Sequence, residues 1–235
     1  FFYSAKMKTA PYSFSDDDVK PYFNLDSVLV NGIFYAAHRV YGLNFRERKD
    51  LPTYHKEMKV FDVLDENGKQ LALFYCDYFR RPTKRGGAWM SAFLKQSGDR
   101  KQLPLIYNVC NYAKAPEGQP TLLTWDETQT MFHEFGHALH GMLSNCAYNT
   151  LSGTSVSRDF VEMPSQFNES FASIPEVFNH YARHYKTGEA MPDALRDKML
   201  GSLNFHSAYA LGENLAATCL DMAWHCLSLT EIPTA

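Results

Sequence analysis

Five consecutive residues in the second half of the chain, His133-Glu134-Phe135-Gly136-His137, have the types and the spacing of a zinc site. Residues four apart on an α-helix lie on one face, so His133 and His137 can direct two imidazole nitrogens at one ion. Two such nitrogens supply half of a tetrahedral coordination shell. Glu134 projects about 80° from the mean direction of the two histidines. That direction is poor for ligation but suits a general base that contacts a water molecule on the metal.

The residues around this motif predict a helix independently of it. Thr124 and Glu127 have the spacing of a capping box, which places the helix start near Trp125. An apolar stripe opposite the histidines would pack against a core. The stripe consists of Met131, Phe132, Phe135, Ala138, Leu139, Met142 and Leu143. Gly136 costs about 1 kcal/mol relative to alanine inside a helix, and we interpret it as a position that another segment approaches closely.

A third metal ligand must come from elsewhere in the chain. Residues 138–158 contain no Asp or Glu, which excludes a ligating Glu about twenty residues after the second histidine, as in thermolysin-like sites. His140 shares the histidine face but lies two turns, about 10 Å, from His133, so it cannot join the same ion. The first acids to follow are Asp159 and Glu162, and either residue type can ligate zinc.

We choose Glu162 as the third ligand. If a helix begins near residue 160 or 161, Pro164 falls in or next to its first turn, and Glu162 and Glu169 share one face. Asp159, just before that helix, is then placed to accept a hydrogen bond from the ring nitrogen of a ligating histidine that faces away from the metal. Glu169 is the second candidate for this role, and its alternative is a solvated carboxylate.

The run from His133 to Glu169 resembles the extended signature of the thimet oligopeptidase family of zinc peptidases. The matching residues are His133, Glu134, Gly136, His137, His140, Gly153, Asp159, Glu162, Pro164, Ser165 and Glu169. The surrounding segments 86–90, 107–112 and 151–154 are similar in particular to the dipeptidyl carboxypeptidase branch of that family. The resemblance covers essentially all 235 residues. It implies that His133, His137 and Glu162 bind one zinc ion and that Glu134 is catalytic.

The periodicity of the remaining chain predicts a mainly α protein with one small β-sheet. Two strands, 58–64 and 71–79, are joined at Asn67-Gly68, which is a strong hairpin signal. A third strand is predicted at 103–112. In zinc peptidases of this build a strand beside the metal helix commonly pairs with an extended substrate, and the sequence does not decide whether 103–112 is that strand. The basic residues that follow residue 79, with Gly86 and Gly87, are interpreted as a solvated loop between the hairpin and a helix, because they lack a phosphate-loop pattern.

Further helices are predicted along the rest of the chain. The first starts at Asp26 or Ser27 and is ended by Gly42, and Ser15 to Asp18 marks an earlier helix start. Ser173 and Glu176 have capping-box spacing and predict a helix to about Tyr185. The last two helices are predicted at 192–200 and 204–227.

The resemblance implies a zincin-like catalytic core of the neurolysin and thimet oligopeptidase type, incomplete in this chain. We expect residues 1–235 to be part of one metallopeptidase catalytic domain. Within it, 1–56 would be helical scaffold, 57–112 the small sheet and 121–235 the zinc-binding helices. The N-terminal helical part and the C-terminal substrate loop of the family are expected to be absent, so no substrate-binding residue is assigned.

The composition is that of an ordinary globular chain. It has 45% hydrophobic and 21% charged residues and a formal net charge of −3, which gives no reason to expect a nucleic-acid or membrane partner. No obligate protein partner is evident either. The five cysteines are odd in number and dispersed. We interpret them as reduced thiols and therefore expect a cytoplasmic protein.

Zinc-dependent peptide hydrolysis is the function that these residues predict. Glu134 would take a proton from a metal-activated water molecule and deliver it to the leaving amine. The resemblance implies short peptide substrates and release of C-terminal dipeptides. Three alternatives remain: a broader oligopeptidase of the same family, a non-catalytic helical module stabilised by zinc, and a helical domain in which the histidines bind no metal.

Overall fold

The computed structural model describes residues 15–203, 205, 207–228 and 230. They belong to two compact units, one made of residues 15–191 and the other containing the described residues from 192 onward. Residues 1–14 of the helical scaffold predicted for 1–56, and the helix start predicted at Asn204, lie outside the described residues.

The first unit begins with a series of helical segments. They are α1 (Asp16–Val19), a 3-10 turn (Lys20–Tyr22), α2 (Leu25–Ser27), a π-helical stretch (Val28–Phe34) and α3 (Tyr35–Tyr41). Asn24, rather than Asp26 or Ser27, caps α2: its side chain accepts hydrogen bonds from the backbone N–H groups of both residues, at 2.9 and 3.2 Å. Gly42 ends α3 with φ 69°, as predicted.

A five-stranded mixed sheet follows. Its strands are β1 (Asn44–Glu47), β2 (Lys59–Leu64), β3 (Gln70–Phe79), β4 (Trp89–Leu94) and β5 (Leu105–Tyr112). Their spatial order is β1-β2-β3-β5-β4. The pairing of β3 with β5 is parallel and the other three pairings are antiparallel. The hairpin predicted around Asn67-Gly68 is confirmed as β2–β3, with Gly68 at φ 80°.

The free edge of the sheet next to β5 is β4, a strand that the sequence analysis did not predict. Met90 pairs with Asn108 and Trp89 with Val109. β5 therefore lies inside the sheet, and the segment 103–112 is not an edge. The expectation that the basic segment after β3 leads into a helix is wrong, because it leads into β4.

The longest helix of the first unit is α4 (Trp125–Met142), which packs against β3, β4 and β5. Its predicted capping box is confirmed. Thr124 Oγ1 accepts from the Glu127 N–H at 3.1 Å, and Glu127 Oε2 accepts from the Thr124 N–H at 2.9 Å. The apolar stripe is buried up to Met142, whereas Leu143, just beyond the helix, is 39% exposed. A strong cap and a buried apolar face together fix where α4 begins and how it is rotated.

The remaining helical segments of the first unit are a 3-10 turn (Asn149–Leu151), α5 (Met163–Glu169), a further 3-10 turn (Ser170–Ala172) and α6 (Pro175–Tyr181). The capping box predicted from Ser173 and Glu176 is wrong. Ser173 Oγ instead donates to Ser170 O at 3.2 Å, and Glu176 pairs with the Tyr35 hydroxyl and with Arg39, both at 3.0 Å. α6 ends at Tyr181 and not near residue 185 as predicted.

The second unit contains α7 (Asp193–Ser202) and α8 (Ser207–His225). The helices and the single five-stranded sheet confirm a mainly α chain with a small sheet. In the part of the chain that the structure describes, no helix is both long enough and apolar enough to cross a membrane. The five cysteines all lie in that part and none forms a disulfide; Cys76 and Cys110 are buried.

Candidate metal centre

The site is built where α4 and α5 cross at Gly136. A Cβ atom on Gly136 would lie 2.6 Å from Ser165 Cα and 2.7 Å from Pro164 O, so no larger residue fits without moving a backbone. The interpretation of Gly136 as a point of close approach is therefore confirmed. Asn168 fastens the crossing, because its Nδ2 donates to Phe132 O at 2.6 Å. The contact brings the residue before α5, Glu162, to the histidine face of α4.

Three of the predicted residues meet at this crossing. His133 Nε2 and His137 Nε2 lie 3.2 and 3.1 Å from Glu162 Oε2, and the three atoms are all within 4.8 Å of one another. Tetrahedral zinc with bonds of about 2.0–2.1 Å separates its ligand atoms by about 3.4 Å. Among the described residues, this is the one group of three or more His, Cys, Asp or Glu side chains spaced to hold an ion.

The hydrogen bond of His133 and the burial of His137 favour a cation between these atoms. His133 Nδ1 donates to Glu169 Oε1 at 2.5 Å, so a neutral His133 turns a lone pair toward Glu162. Burial lowers the pKa of His137, although Glu162 opposes the shift, and this favours the neutral ring. Imidazole lone pairs and a carboxylate oxygen repel each other at such distances unless a cation lies between them. Two nitrogens and one carboxylate are also a common ligand set of catalytic zinc.

Glu162 is held by its own helix. Ser165 Oγ donates to Glu162 Oε2 at 2.9 Å. Burial acts to raise the pKa of Glu162, but the hydrogen bond from Ser165 and the two neighbouring histidines outweigh it, and the pKa is lowered. Glu162 therefore stays ionised at neutral pH. No role was predicted for Ser165, although its position three residues after Glu162, at a helix start, is where a serine hydroxyl can bond back to the preceding turn.

Glu169, and not Asp159, contacts a histidine of the cluster. In the described structure Asp159 accepts no hydrogen bond from His133 or His137, and it is exposed. α5 begins at Met163, later than predicted, so Asp159 precedes it by a turn outside the helix. His140 also stays apart: its ring lies 6.1 Å from that of Phe160, and its Nδ1 is buried without a partner in the described structure.

Glu134 lies beside the cluster and is only 6% exposed. Its Oε2 is buried and has no hydrogen-bond partner among the described residues. Burial raises the pKa of Glu134 to about 7; the charge of Glu162 adds to the rise and His133 opposes it. A carboxyl group with a pKa near neutrality can both accept and return a proton.

One cleft contains the histidines, Glu134 and Glu162. Its other walls are formed by Ala88, Trp89, Met90, Thr154 and Val161. The edge strand β4 therefore borders the cleft through its first two residues, Trp89 and Met90. No functional role was predicted for this wall from the sequence.

Comparison with known proteins identifies the family. The sequence model of the family described as Peptidase family M3 matches residues 1–232. Dipeptidyl carboxypeptidase of Escherichia coli (strain K12) is 49% identical over 230 residues, which are 98% of this chain and 34% of that protein. Oligopeptidase A of the same organism is 40% identical over 228 residues, 95% of this chain and 33% of that protein.

A thimet-like oligopeptidase of Dictyostelium discoideum is 33% identical over 231 residues, 95% of this chain and 34% of that protein. The chain thus spans about a third of the length of the curated relatives it matches. These relatives confirm the family resemblance seen in the sequence. Because the family match extends over nearly all of its residues, the chain belongs to peptidase family M3.

Proposed function

We propose that this chain carries the zinc centre and the general base of a peptidase that releases dipeptides from the C-termini of short peptides. One observation carries the proposal: His133 Nε2, His137 Nε2 and Glu162 Oε2 face a common point beside Glu134, whose buried Oε2 has no hydrogen-bond partner among the described residues. The relatives named dipeptidyl carboxypeptidase support the dipeptide-releasing mode.

The zinc ion and the protein side chains would have different roles in the hydrolysis. Zinc held by His133, His137 and Glu162 would lower the pKa of a water molecule and polarise the scissile carbonyl. Glu134 accepts a proton from the attacking water and later delivers it to the leaving amine. Glu169 holds the His133 ring in the tautomer that offers Nε2 to the ion. The amide bond is thereby hydrolysed without a covalent enzyme intermediate.

The edge strand β4 supplies a surface for the peptide backbone. An extended peptide can add to a free sheet edge through main-chain hydrogen bonds that are indifferent to its side chains. Trp89 and Met90 line the cleft, so a peptide along this edge would pass beside Glu134. Such binding suits a peptidase that accepts varied sequences.

We also propose that residues 1–235 are part of one catalytic domain of a cytoplasmic enzyme. The five unpaired thiols support a reducing compartment. The net charge of −3 gives no basis for nucleic-acid or membrane binding. Short peptides are then its partners, and no obligate protein partner is proposed.

Metal analysis combined with thermal unfolding tests the zinc centre. We expect close to one zinc per chain, and a melting temperature that falls when a strong chelator removes it, because the ion binds the folded state. Glu162→Ala is the matched variant: it should lose both the metal and the response to chelator. Protein that is purified in zinc-containing buffer, contains no metal and melts identically with chelator would contradict the proposal.

The relatives named oligopeptidase A favour a second candidate, a broader endopeptidase of the same family. Product analysis separates the two modes. A dipeptidyl carboxypeptidase should release dipeptides from a peptide with a free C-terminus and leave the amidated peptide intact. An endopeptidase should cleave both. A non-catalytic zinc module would need a fourth protein ligand, and within the described residues no fourth His, Cys, Asp or Glu joins the cluster.

A further inference from the structure

A buried ion-pair cluster lies where β3 passes into the segment that leads to β4. Asp77 is 3% exposed, and its carboxylate accepts two hydrogen bonds from Arg81, at 2.7 and 2.8 Å. It also accepts one from Lys84 Nζ at 3.0 Å and one from the Tyr54 hydroxyl at 2.7 Å. The expectation of a solvated loop is therefore wrong for Arg81 and Lys84, which turn inward.

The ammonium group of Lys84 is buried and surrounded by oxygen acceptors. Its side chain is 4% exposed, and its Nζ also donates to Asp77 O at 2.8 Å and to Phe79 O at 2.9 Å. The three acceptors satisfy the three N–H groups of an ammonium. Burial acts to raise the pKa of Asp77, but the hydrogen bonds from Arg81, Tyr54 and Lys84 outweigh it and lower the pKa to about 2. The ion pair of Asp77 and Lys84 thus ties the first part of segment 80–88, which connects β3 to β4, to the end of β3.

The far end of the same segment is tied to β5. Asn111 Nδ2 donates to Arg85 O at 2.8 Å and to Gly87 O at 2.7 Å. The Arg85 guanidinium lies 4.8 Å from the ring centroid of Trp89. Trp89 is the first residue of β4 and a wall of the cleft. The segment 80–88 is therefore held at both ends, and its position determines where β4 borders the cleft.

We propose that Asp77 and Lys84 are positioning residues for peptide binding, whose ion pair holds segment 80–88 so that the edge strand β4 presents its backbone to an extended peptide. The inference rests on the proposed function. Neither residue lines the cleft, so they act through β4 and not on the reacting atoms. Their loss should weaken peptide binding more than it slows the chemical step.

The same sheet offers a matched control. Asp62 on β2 is also buried, with a side chain 1% exposed, and it is also bound by two cations. Arg46 donates to it at 2.6 Å, Arg48 at 3.0 Å, and Gln70 at 3.1 Å. This cluster lies on the β1–β2 side of the sheet, opposite the β4 edge. Asp62→Asn therefore disturbs an equally buried carboxylate without touching segment 80–88.

The kinetic test compares Asp77→Asn, Lys84→Met and Asp62→Asn in the full-length, zinc-loaded enzyme, normalised to the folded fraction. We expect the first two variants to raise KM at least about tenfold while kcat and zinc affinity change little. Asp62→Asn should leave KM unchanged. Lys84→Arg should raise KM less than Lys84→Met does, because arginine keeps a cation beside Asp77. Tyr54→Phe, which removes one hydrogen bond, is the milder variant if the others fold poorly, and it should raise KM by a smaller factor.

A second measurement does not depend on turnover. Amide hydrogen exchange of residues 89–94 should accelerate in Asp77→Asn and Lys84→Met but not in Asp62→Asn. A normal KM with normal exchange in the two variants, in an enzyme whose wild type hydrolyses peptides, would overturn the positioning role alone. An equal rise of KM in Asp62→Asn would also overturn it. If the wild type shows no zinc-dependent hydrolysis, the proposed function fails, and unchanged exchange at β4 would then overturn the positioning of the strand as well.

Discussion

His133 Nδ1 and Glu169 Oε1 lie 2.5 Å apart across the crossing of α4 and α5. The bond joins the first turn of the metal motif to the last residue of the helix that follows Glu162. It decides which ring nitrogen of His133 faces the cluster, just as Ser165 decides the orientation of Glu162. The geometry of the cluster is thus set by residues that would not touch the ion.

Removing the Glu169 carboxylate should weaken zinc binding. Glu169→Ala leaves the His133 ring without the acceptor that orients it, and such losses typically lower metal affinity by about 10–100-fold. Asp159→Ala is the control, because Asp159 is exposed and makes no hydrogen bond to either histidine in the described structure. Competition with a chromophoric chelator measures the zinc affinity of each variant. Equal affinities in the two variants would refute the role of Glu169.

Substitutions of the general base Glu134 and of the third ligand Glu162 should have different effects on zinc content and turnover. Glu134→Gln keeps the shape of the side chain but cannot accept the proton, so it should retain zinc and lose at least about 100-fold in kcat. Glu162→Ala should lose zinc and turnover together. Metal content by atomic absorption and initial rates on one peptide give both readouts. Undiminished hydrolysis by metal-replete Glu134→Gln protein would remove Glu134 from the mechanism.

Gly136→Ala should destabilise the first unit and damage the metal centre at once. The new Cβ would lie 2.6 Å from Ser165 Cα, and overpacking of this kind costs about 1–3 kcal/mol. Separating α4 from α5 would also carry Glu162 away from the histidines. The expected result is a lower melting temperature with weaker zinc binding.

Gly212→Ala is the matched control for that substitution. Gly212 also lies inside a helix, α8, but none of the described residues comes within 4 Å of the position of its Cβ. Alanine should therefore stabilise the helix by up to about 1 kcal/mol. A similar loss of stability in both variants would mean that the close contact at Gly136 is not the cause.

Acid should destabilise the chain partly through Asp77. Its pKa is lowered from the ordinary value of 3.8 to about 2 in the folded protein. The stabilisation is therefore complete above about pH 4 and is lost as the pH falls through 2, a difference of about 2 kcal/mol. Urea unfolding between pH 5 and 2 should give a shallower pH dependence for Asp77→Asn than for the wild type. The same pH dependence of the unfolding free energy in the wild type and in Asp77→Asn would contradict the role of Asp77 in acid stability.

Local patterns were sufficient to predict the elements that carry most of the site. The metal motif, the Thr124–Glu127 cap and the apolar stripe all lie within α4, so their geometry follows from one helix. The β2–β3 hairpin was equally predictable, because Asn67-Gly68 selects the turn. Residue type alone left the third ligand open between Asp159 and Glu162; the helix predicted to begin near residue 160 or 161 favoured Glu162, and the family resemblance agreed with that choice.

Features that depend on distant parts of the chain could not be predicted. β4 is short, and the exposure of its side chains does not alternate, so it lacks the period of a half-buried strand. The choice of Glu169 over Asp159 depends on how α4 and α5 cross. Glu176 is bound by Tyr35 and Arg39, more than 130 residues earlier, and is thereby withdrawn from the predicted cap.

The parallel pairing of β3 with β5 has a consequence for the order of folding. It joins two pieces that can each form from neighbouring strands: the β1–β2–β3 meander and the β4–β5 hairpin. Consecutive antiparallel strands pair early because their loops are short, whereas parallel pairing must close a long loop first. In the described sheet no other ladder links the two pieces. We therefore expect the hairpin to dock as a preformed body, so that the wall of the cleft formed by Trp89 and Met90 is completed in the last step of sheet assembly.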